Sequence, residues 1–591
     1  MAQRRIKKKV GPDGRMVFVG SGLVMCFVAA AASQASVQIF RREDILAKVQ
    51  ALKVEKTKET ESFQRGTIYS SDGKVLAQSE DVYELSLHYR NLPKSPGFYM
   101  ALAHATGISA PELRNPSLDP AAKSRFWKAK MTAVQAEEVR RVQTTWSANG
   151  VDLKPTLSRI YPLAESLSNI VGTVRNGEPV AGFEKSMDPV LKGQGKISQN
   201  LVGASEDYKR RIEDAAIETP QARDITLTID SELQQIAAEA VRGAVERGNA
   251  ASGCAIILKP STGDILACAD YPSYDPKGSA AKGSDMSTST MRLLEPGSMF
   301  KLITLGKALN DKKITLNSTF ESTSSYPVGG GKFIKNHDGK AYGIVDAEKA
   351  IAVSCNVTAA KWALLIGHKS YSDFITKLGI LERPDLGLTP AANRFGSFNK
   401  KDTSRMLLAN LGFGQAIGTL PISLVGAFGM LANNGVLVKP RLVKEVGGIP
   451  IPPVKGEQLL SADTCSKVLL ASEAVINRSY GTGAHLQIPG IRMAGKTGTA
   501  QKLDRRGKLV GYVANFVGFV PAKKPQYVIL VMVDQPKTKN YYGGAVAGPA
   551  FAEIVRNMIS ADRILVDQKL MAEERYNQFH EQKPAVTAAR D

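Results

Sequence analysis

Between Met16 and Phe40 the chain carries no charged side chain, and from Met16 to Ala32 it is almost wholly apolar apart from Ser21. As a helix rising about 1.5 Å per residue, this run reaches about 37 Å, more than the roughly 30 Å of a bilayer's hydrocarbon core. Arg4, Arg5, Lys7, Lys8 and Lys9 stand just ahead of it. The positive-inside bias therefore predicts a cytoplasmic tail over residues 1–15, a membrane-spanning signal-anchor helix over 16–40, and an extracytoplasmic chain after Arg41. A cleaved signal peptide is the alternative, because Ala32-Ser33-Gln34-Ala35-Ser36 resembles a small-residue cleavage region. The apolar run is longer than the usual hydrophobic core of a signal peptide, which favours retention.

At 591 residues the chain exceeds one ordinary core, so more than one folded unit is expected. The net charge of +21 raises the question of nucleic acid, but beyond the terminal cluster lysines and arginines are interspersed with acids. No aromatic-basic module or phosphate-cradling glycine loop appears, so no nucleic-acid partner is expected. A basic exterior suits anionic lipid headgroups or anionic wall polymers. The five cysteines, Cys26, Cys254, Cys268, Cys355 and Cys465, have neither metal-ligand nor disulfide-framework spacing. Cys254 and Cys268 flank an expected hairpin and could pair, although single cysteines in apolar strands are more often buried small hydrophobes.

Three short patterns carry the chemistry. A serine with a lysine three residues on, at the start of a helix, is a candidate nucleophile with its own base; the bare pattern occurs at Ser71, Ser279, Ser298 and Ser397, so context has to choose. Only Ser298 opens an apolar-periodic run: Pro296 and Gly297 break what precedes it, and Met299, Phe300, Leu302, Ile303, Leu305 and Leu309 follow at helical spacing. Ser298 and Lys301 then share a helix face. Ser-x-Asn occurs at Ser147, Ser198, Ser354 and Ser397, whereas Lys-Thr-Gly occurs once, at Lys496, in an expected strand from Arg492 to Gln501.

In this order, Ser298-x-x-Lys301, Ser354-x-Asn356 and Lys496-Thr497-Gly498 resemble the penicillin-binding protein and serine β-lactamase superfamily. Upstream, Arg65-Gly66-Thr67-Ile68, Arg159-Ile160-Tyr161-Pro162 and Gly182-Phe183-Glu184 resemble the noncatalytic pedestal of class B penicillin-binding proteins; Tyr69-Ser70-Ser71 departs from the acidic-basic pair usual there. Gly412-Phe413-Gly414-Gln415 and Tyr541-Tyr542-Gly543-Gly544 extend the likeness. It implies an α+β fold: a pedestal over 41–220, a transpeptidase domain over 221–565 with an antiparallel sheet, helices on its faces and a helical subdomain, and a polar, peripheral tail over 566–591. The patterns expect a helical stretch near 123–143, a strand from Ile225, a helix from Ser231 to Val245, a hairpin of 254–258 with 265–269, an all-helical middle and a strand over Tyr527 to Asp534.

The resemblance also implies roles. Ser298 attacks a carbonyl and Lys301 takes its proton; partial burial and a nearby cation, for which Lys496 is the candidate, lower the Lys301 pKa so that it is neutral. Ser354 relays a proton to the leaving amine, and Asn356 holds the substrate backbone or orients Lys301. Lys496, Thr497 and Thr499 bind a substrate carboxylate, Gly498 leaves room for a peptide along the strand, and the N–H groups of Ser298 and Thr499 form the oxyanion hole. No metal or organic cofactor is called for, and His337 reads as a loop residue rather than a catalyst. The implied substrates are peptidoglycan stem peptides ending in D-alanyl-D-alanine, with β-lactam antibiotics as mimics. The implied partners are the membrane, a polytopic peptidoglycan polymerase and other divisome proteins. A β-lactamase and a noncatalytic scaffold are the alternatives; within class B, the patches favour a septal over a side-wall role.

Overall fold

In a computed structural model of the chain, the described residues are Met25 and 65–581, apart from 115–125, 176, 193–206, 208, 213–223, 277–286, 383, 389–397, 399–400 and 504–508. Among them no helix is long and apolar enough to cross a membrane. The expected anchor over 16–40, Met25 apart, lies outside the described residues, as do Ser279, Ser397 and the end of the tail.

The first described part is built around one long strand. β1 (Ile68–Tyr69) turns into β2 (Val75–His88), followed by α1 (Pro96–Thr106), β3 (Phe126–Met131), α2 (Ala133–Thr145), β4 (Val151–Ile160), α3 (Ala164–Val171) and α4 (Gly182–Ser186). β3 and β4 both pair antiparallel with β2, and Leu85, Leu87, Phe98, Leu102 and Val139 form a small core beneath α1 and α2. Where a helix near 123–143 is expected, the structure divides the stretch into β3 and α2. The division comes at Thr132, whose hydroxyl accepts from Gln135 N while the Gln135 side chain accepts from Thr132 N at 3.0 Å, a capping box that starts a helix only at Ala133.

The three pedestal patches, far apart in the chain, converge on one buried cluster. Glu184 has no exposed surface, and its carboxylate takes Arg65 at 2.9 Å and Arg159 at 2.6 Å. Arg65 also pairs with Asp188, and Arg159 donates to the Gly66 carbonyl at 2.8 Å. A carboxylate this deep is tolerated only because two guanidinium groups meet it.

The rest of the chain comprises β5 (Ile225–Leu227), α5 (Ser231–Arg247), β6 (Ser252–Lys259), β7 (Asp264–Tyr271), α6 (Lys301–Asn310), β8 (Ser325–Gly329), β9 (Lys332–Lys335), α7 (Ala347–Ala352), α8 (Asn356–Ile366), α9 (Pro421–Ala432), β10 (Val443–Val446), α10 (Ala462–Asn477), β11 (Ala494–Leu503), β12 (Leu509–Val520), β13 (Tyr527–Asp534), α11 (Gly543–Ser560) and α12 (Gln568–Glu581), with shorter elements between. An antiparallel sheet runs β11-β12-β13-β6-β7. Along β13, Ile529, Val531 and Val533 face a core shared with α5 and α11, while Val528, Leu530 and Met532 face a second core with α6, α9 and α10. Both faces of each central strand are therefore apolar, which is why these strands read as continuous hydrophobic runs.

β5 does not join that sheet. It pairs parallel with β1 and antiparallel with β10, tying the pedestal to the second part. Tyr274 donates from its hydroxyl to the Ser168 carbonyl at 2.9 Å, and Ser231 donates to the Asp72 carboxylate at 2.6 Å.

Two further expectations are corrected, and the reading of two cysteines as buried small hydrophobes holds. The middle is not all helical: β8 pairs with β9, and Phe320–Ser322 pairs with Gly343–Val345. These strands are too short for a visible alternation. Cys254 and Cys268 are free and buried; on adjacent strands they face Asp270 and Ile256 rather than each other. Part of the tail is a docked helix: Asp567 N donates to Gly490 O at 2.9 Å, and Gly490 N donates to the Glu574 carboxylate at 2.8 Å. Backbone groups and one carboxylate make that attachment, so its polar composition gave no sign of it.

Candidate active site

Ser298 sits in a single 3-10 turn, Gly297–Phe300, that runs straight into α6 at Lys301. The turn is clamped from two sides. Gly297 has φ +57°, and a Cβ there would stand 3.1 Å from the Thr499 carbonyl of β11. Behind it, Gly297 N donates to Gly414 O at 3.0 Å, and Gly414, at φ +75°, approaches so closely that a Cβ would meet the Gly297 carbonyl at 2.2 Å. Glycine is the residue that allows both contacts.

Lys301 is fully buried. Its Nζ donates to Ser354 O at 2.6 Å, Ser354 Oγ at 3.0 Å and Asn356 Oδ1 at 2.8 Å. Burial, without the expected help of the Lys496 charge, pulls its pKa down to about 7, so a neutral amine is accessible near neutral pH. Among the described residues no hydrogen bond joins Ser298 Oγ to this nitrogen. Ser354 reaches Lys301 from the turn between α7 and α8, at φ +59°, a left-handed conformation that a non-glycine residue holds at a cost of about 1–3 kcal/mol. Asn356 opens α8; its Nδ2 donates to Lys335 O at 2.9 Å and its N–H to Asn336 Oδ1 at 3.0 Å. The Cys355 thiol between them caps the helix, accepting from Thr358 N at 3.3 Å.

Lys496 is fully buried on β11 and donates to Thr497 O at 3.0 Å. Burial, and then the charge of Lys301, push its pKa well below the usual lysine range. Thr497 Oγ1 lies 2.8 Å from Thr482 Oγ1, and Thr499 Oγ1 accepts from Gly543 N at 3.0 Å. Gly498 departs from expectation in its reason. A Cβ there would stand 1.8 Å from Asn515 Oδ1 and 3.0 Å from Met299; the interior behind the strand excludes a side chain at this position.

A cavity of about 600 Å³ brings the motifs together: Ser298, Ser354, Asn356, Thr497, Gly498 and Thr499 all line it, above the buried Lys301 and Lys496. Its far wall is aromatic. Tyr512 stacks on Tyr541 at 4.0 Å, Tyr541 on Tyr542 at 4.9 Å, and His337 meets the edge of Tyr542 at 5.9 Å. His337 does lie in a loop, after β9, but that loop forms the cavity wall; partial desolvation and the charges of Lys301 and Lys496 hold its imidazole below the usual range. Asn336, Thr482 and Asn515 lie at the site although no sequence pattern singled them out, because each acts through contacts with motif residues elsewhere in the chain.

Residues 253–556 match the penicillin-binding protein transpeptidase domain, and residues 60–226 match the penicillin-binding protein dimerisation domain. The chain belongs to the penicillin-binding protein transpeptidase family. Within the family it is 28% identical over 571 residues to the probable peptidoglycan D,D-transpeptidase PenA of Neisseria gonorrhoeae, covering 94% of each chain. It is 27% identical over 518 residues to the peptidoglycan D,D-transpeptidase FtsI of Escherichia coli, covering 86% of this chain and 85% of that one. To FtsI of Buchnera aphidicola the identity is 30% over 437 residues, 71% of this chain and 73% of the relative. A dimerisation domain ahead of a transpeptidase domain is the class B arrangement that the upstream patches implied.

Proposed function

We infer that this protein is a serine-type peptidoglycan D,D-transpeptidase, crosslinking stem peptides through an acyl-enzyme on Ser298. The observation that carries the reading is the buried Lys301, near neutrality in pKa, one turn from Ser298 and bonded to both Ser354 and Asn356. Neutral Lys301 takes the Ser298 proton as Oγ attacks the carbonyl of the penultimate D-alanine. The N–H groups of Ser298 and Thr499 receive the oxyanion. Collapse of the tetrahedral intermediate breaks the peptide bond, and the proton passes from Lys301 through Ser354 to the departing D-alanine amine. An amine of a neighbouring stem then attacks the acyl-enzyme, gives up its proton along the same route, and frees Ser298. Thr497, Thr499 and Lys496, whose protonated form an incoming carboxylate favours, suit the terminal carboxylate of the donor, and β-lactams acylate Ser298 as mimics of the dipeptide.

Mass spectrometry of penicillin-treated protein tests this. A stable adduct on Ser298, absent in S298A, is expected; rapid release of hydrolysed drug points to a β-lactamase instead. S298A that still supports crosslinking would favour the scaffold.

The finer reading is septal synthesis from the cytoplasmic membrane: a single-pass anchor over 16–40 with its N-terminus inside, the pedestal over 41–220 and the transpeptidase domain over 221–565 outside. A polymerase of the shape, elongation, division and sporulation family is the expected partner, contacted through 16–40 and the pedestal. Relatives named FtsI support the division role. Depletion is expected to yield filaments; round cells would assign the side wall.

A further inference from the structure

Asn515 lies on β12 opposite Gly498 of β11 and has no exposed surface. Its amide faces two segments at once. Nδ2 donates to the Pro296 carbonyl at 3.2 Å, two residues before Ser298. Among the described residues Oδ1 has no hydrogen-bond partner, and it abuts Gly498, where an added Cβ would stand only 1.8 Å away, one residue before Thr499. A buried amide oxygen without a donor costs on the order of 1–3 kcal/mol. Gly543 closes the layer from the other side: a Cβ there would meet the Gly498 carbonyl at 2.2 Å and the Asn515 carbonyl at 2.3 Å. The strand is thus held between backbone on one side and the Asn515 amide on the other.

We propose that Asn515 is a positioning residue for acylation: its amide, bonded to Pro296 and wedged against Gly498, sets the gap between the Ser298 and Thr499 N–H groups. The proposal rests on the transpeptidase reading, in which that gap is the oxyanion hole. Asn515 touches no reacting atom. Its leverage comes from preorganisation, because donors work when they already stand about 2.7–3.1 Å from where the charge will develop. A hole that relaxes by a few tenths of an ångström weakens the transition state more than the bound substrate.

N515A removes both ends of the spacer, and N515L keeps its bulk while losing the donor and adding no charge. In the full-length protein, Ser298 acylation measured across benzylpenicillin concentrations separates the limiting rate from the half-saturating concentration. A boronic acid, which forms a tetrahedral adduct on the serine, reports the hole directly. The limiting rate is expected to fall by ~10–100-fold in both variants. Boronate affinity should fall by a similar factor, the half-saturating concentration should change by less than ~3-fold, and thermal unfolding should stay cooperative. An unchanged limiting rate, a loss confined to the half-saturating concentration, or a loss that comes only with loss of cooperative unfolding overturns the proposal. If the wild-type protein itself takes no adduct on Ser298, the transpeptidase reading falls and the proposal with it.

Discussion

Lys301 governs the expected pH behaviour, because only its neutral form can accept the Ser298 proton. With its pKa lowered to about 7, the base is scarce below that pH and prevails above it. Penicillin acylation is therefore expected to rise about tenfold per pH unit below neutrality and to level off above it. Glu295, raised to about 7 by burial, titrates in the same window; a rise that survives E295Q belongs to Lys301. K301R is permanently charged and is expected to lose ~10²–10⁴-fold in acylation rate at every pH. A pH profile left intact in K301R would place the base elsewhere. The Ser-x-x-Lys spacing of this pair was visible in the residue order. The Asn356 Oδ1 contact and the burial that makes Lys301 a usable base were not, because both depend on α8 arriving from more than fifty residues downstream.

Among the elements, the pedestal stands on the Arg65, Glu184 and Arg159 cluster, which joins the start of β1, the end of β4 and α4. E184A leaves the buried Arg159 without its carboxylate and Arg65 with Asp188 alone, and is expected to cost ~3–5 kcal/mol, read as a lower denaturation midpoint. Penicillin labelling of the remaining folded protein should persist, since no residue of the cluster lines the cavity; a stability within error of wild type would deny the cluster its role. In the transpeptidase domain α11 seats on β12 through Gly518, where a Cβ would meet the Phe551 ring at 2.1 Å. G518A is expected to cost ~1–3 kcal/mol by overpacking, seen as a lower Tm. Neither device could be read locally. The three pedestal patches look like loop punctuation until they meet, and Gly518 looks like any strand glycine until α11 lies on it.

For the whole molecule, pedestal and transpeptidase domain share β1, β5 and β10 in one sheet, so thermal unfolding of both is expected in one transition; two separated transitions would show the shared sheet to be weak. Removing residues 1–40 is expected to move the protein from the membrane fraction to the soluble one with Ser298 still labelled by penicillin. Truncated protein that stays on washed membranes would place the attachment elsewhere.

Residue order alone carried what depends on local chemistry: the uncharged run before Arg41, the Ser298 turn with Lys301 three residues on, the Lys496 strand, and the central strands whose two faces both had to be covered. Tertiary structure decided what depends on distant segments meeting: the hairpins in the expected helical middle, the docking of α12, His337 on the cavity wall, and Asn515 behind Gly498. The reason is physical. Helix and strand periodicities are written within a dozen neighbours, whereas a buried amine's pKa and an orphaned amide's purpose are set by whatever the fold packs against them.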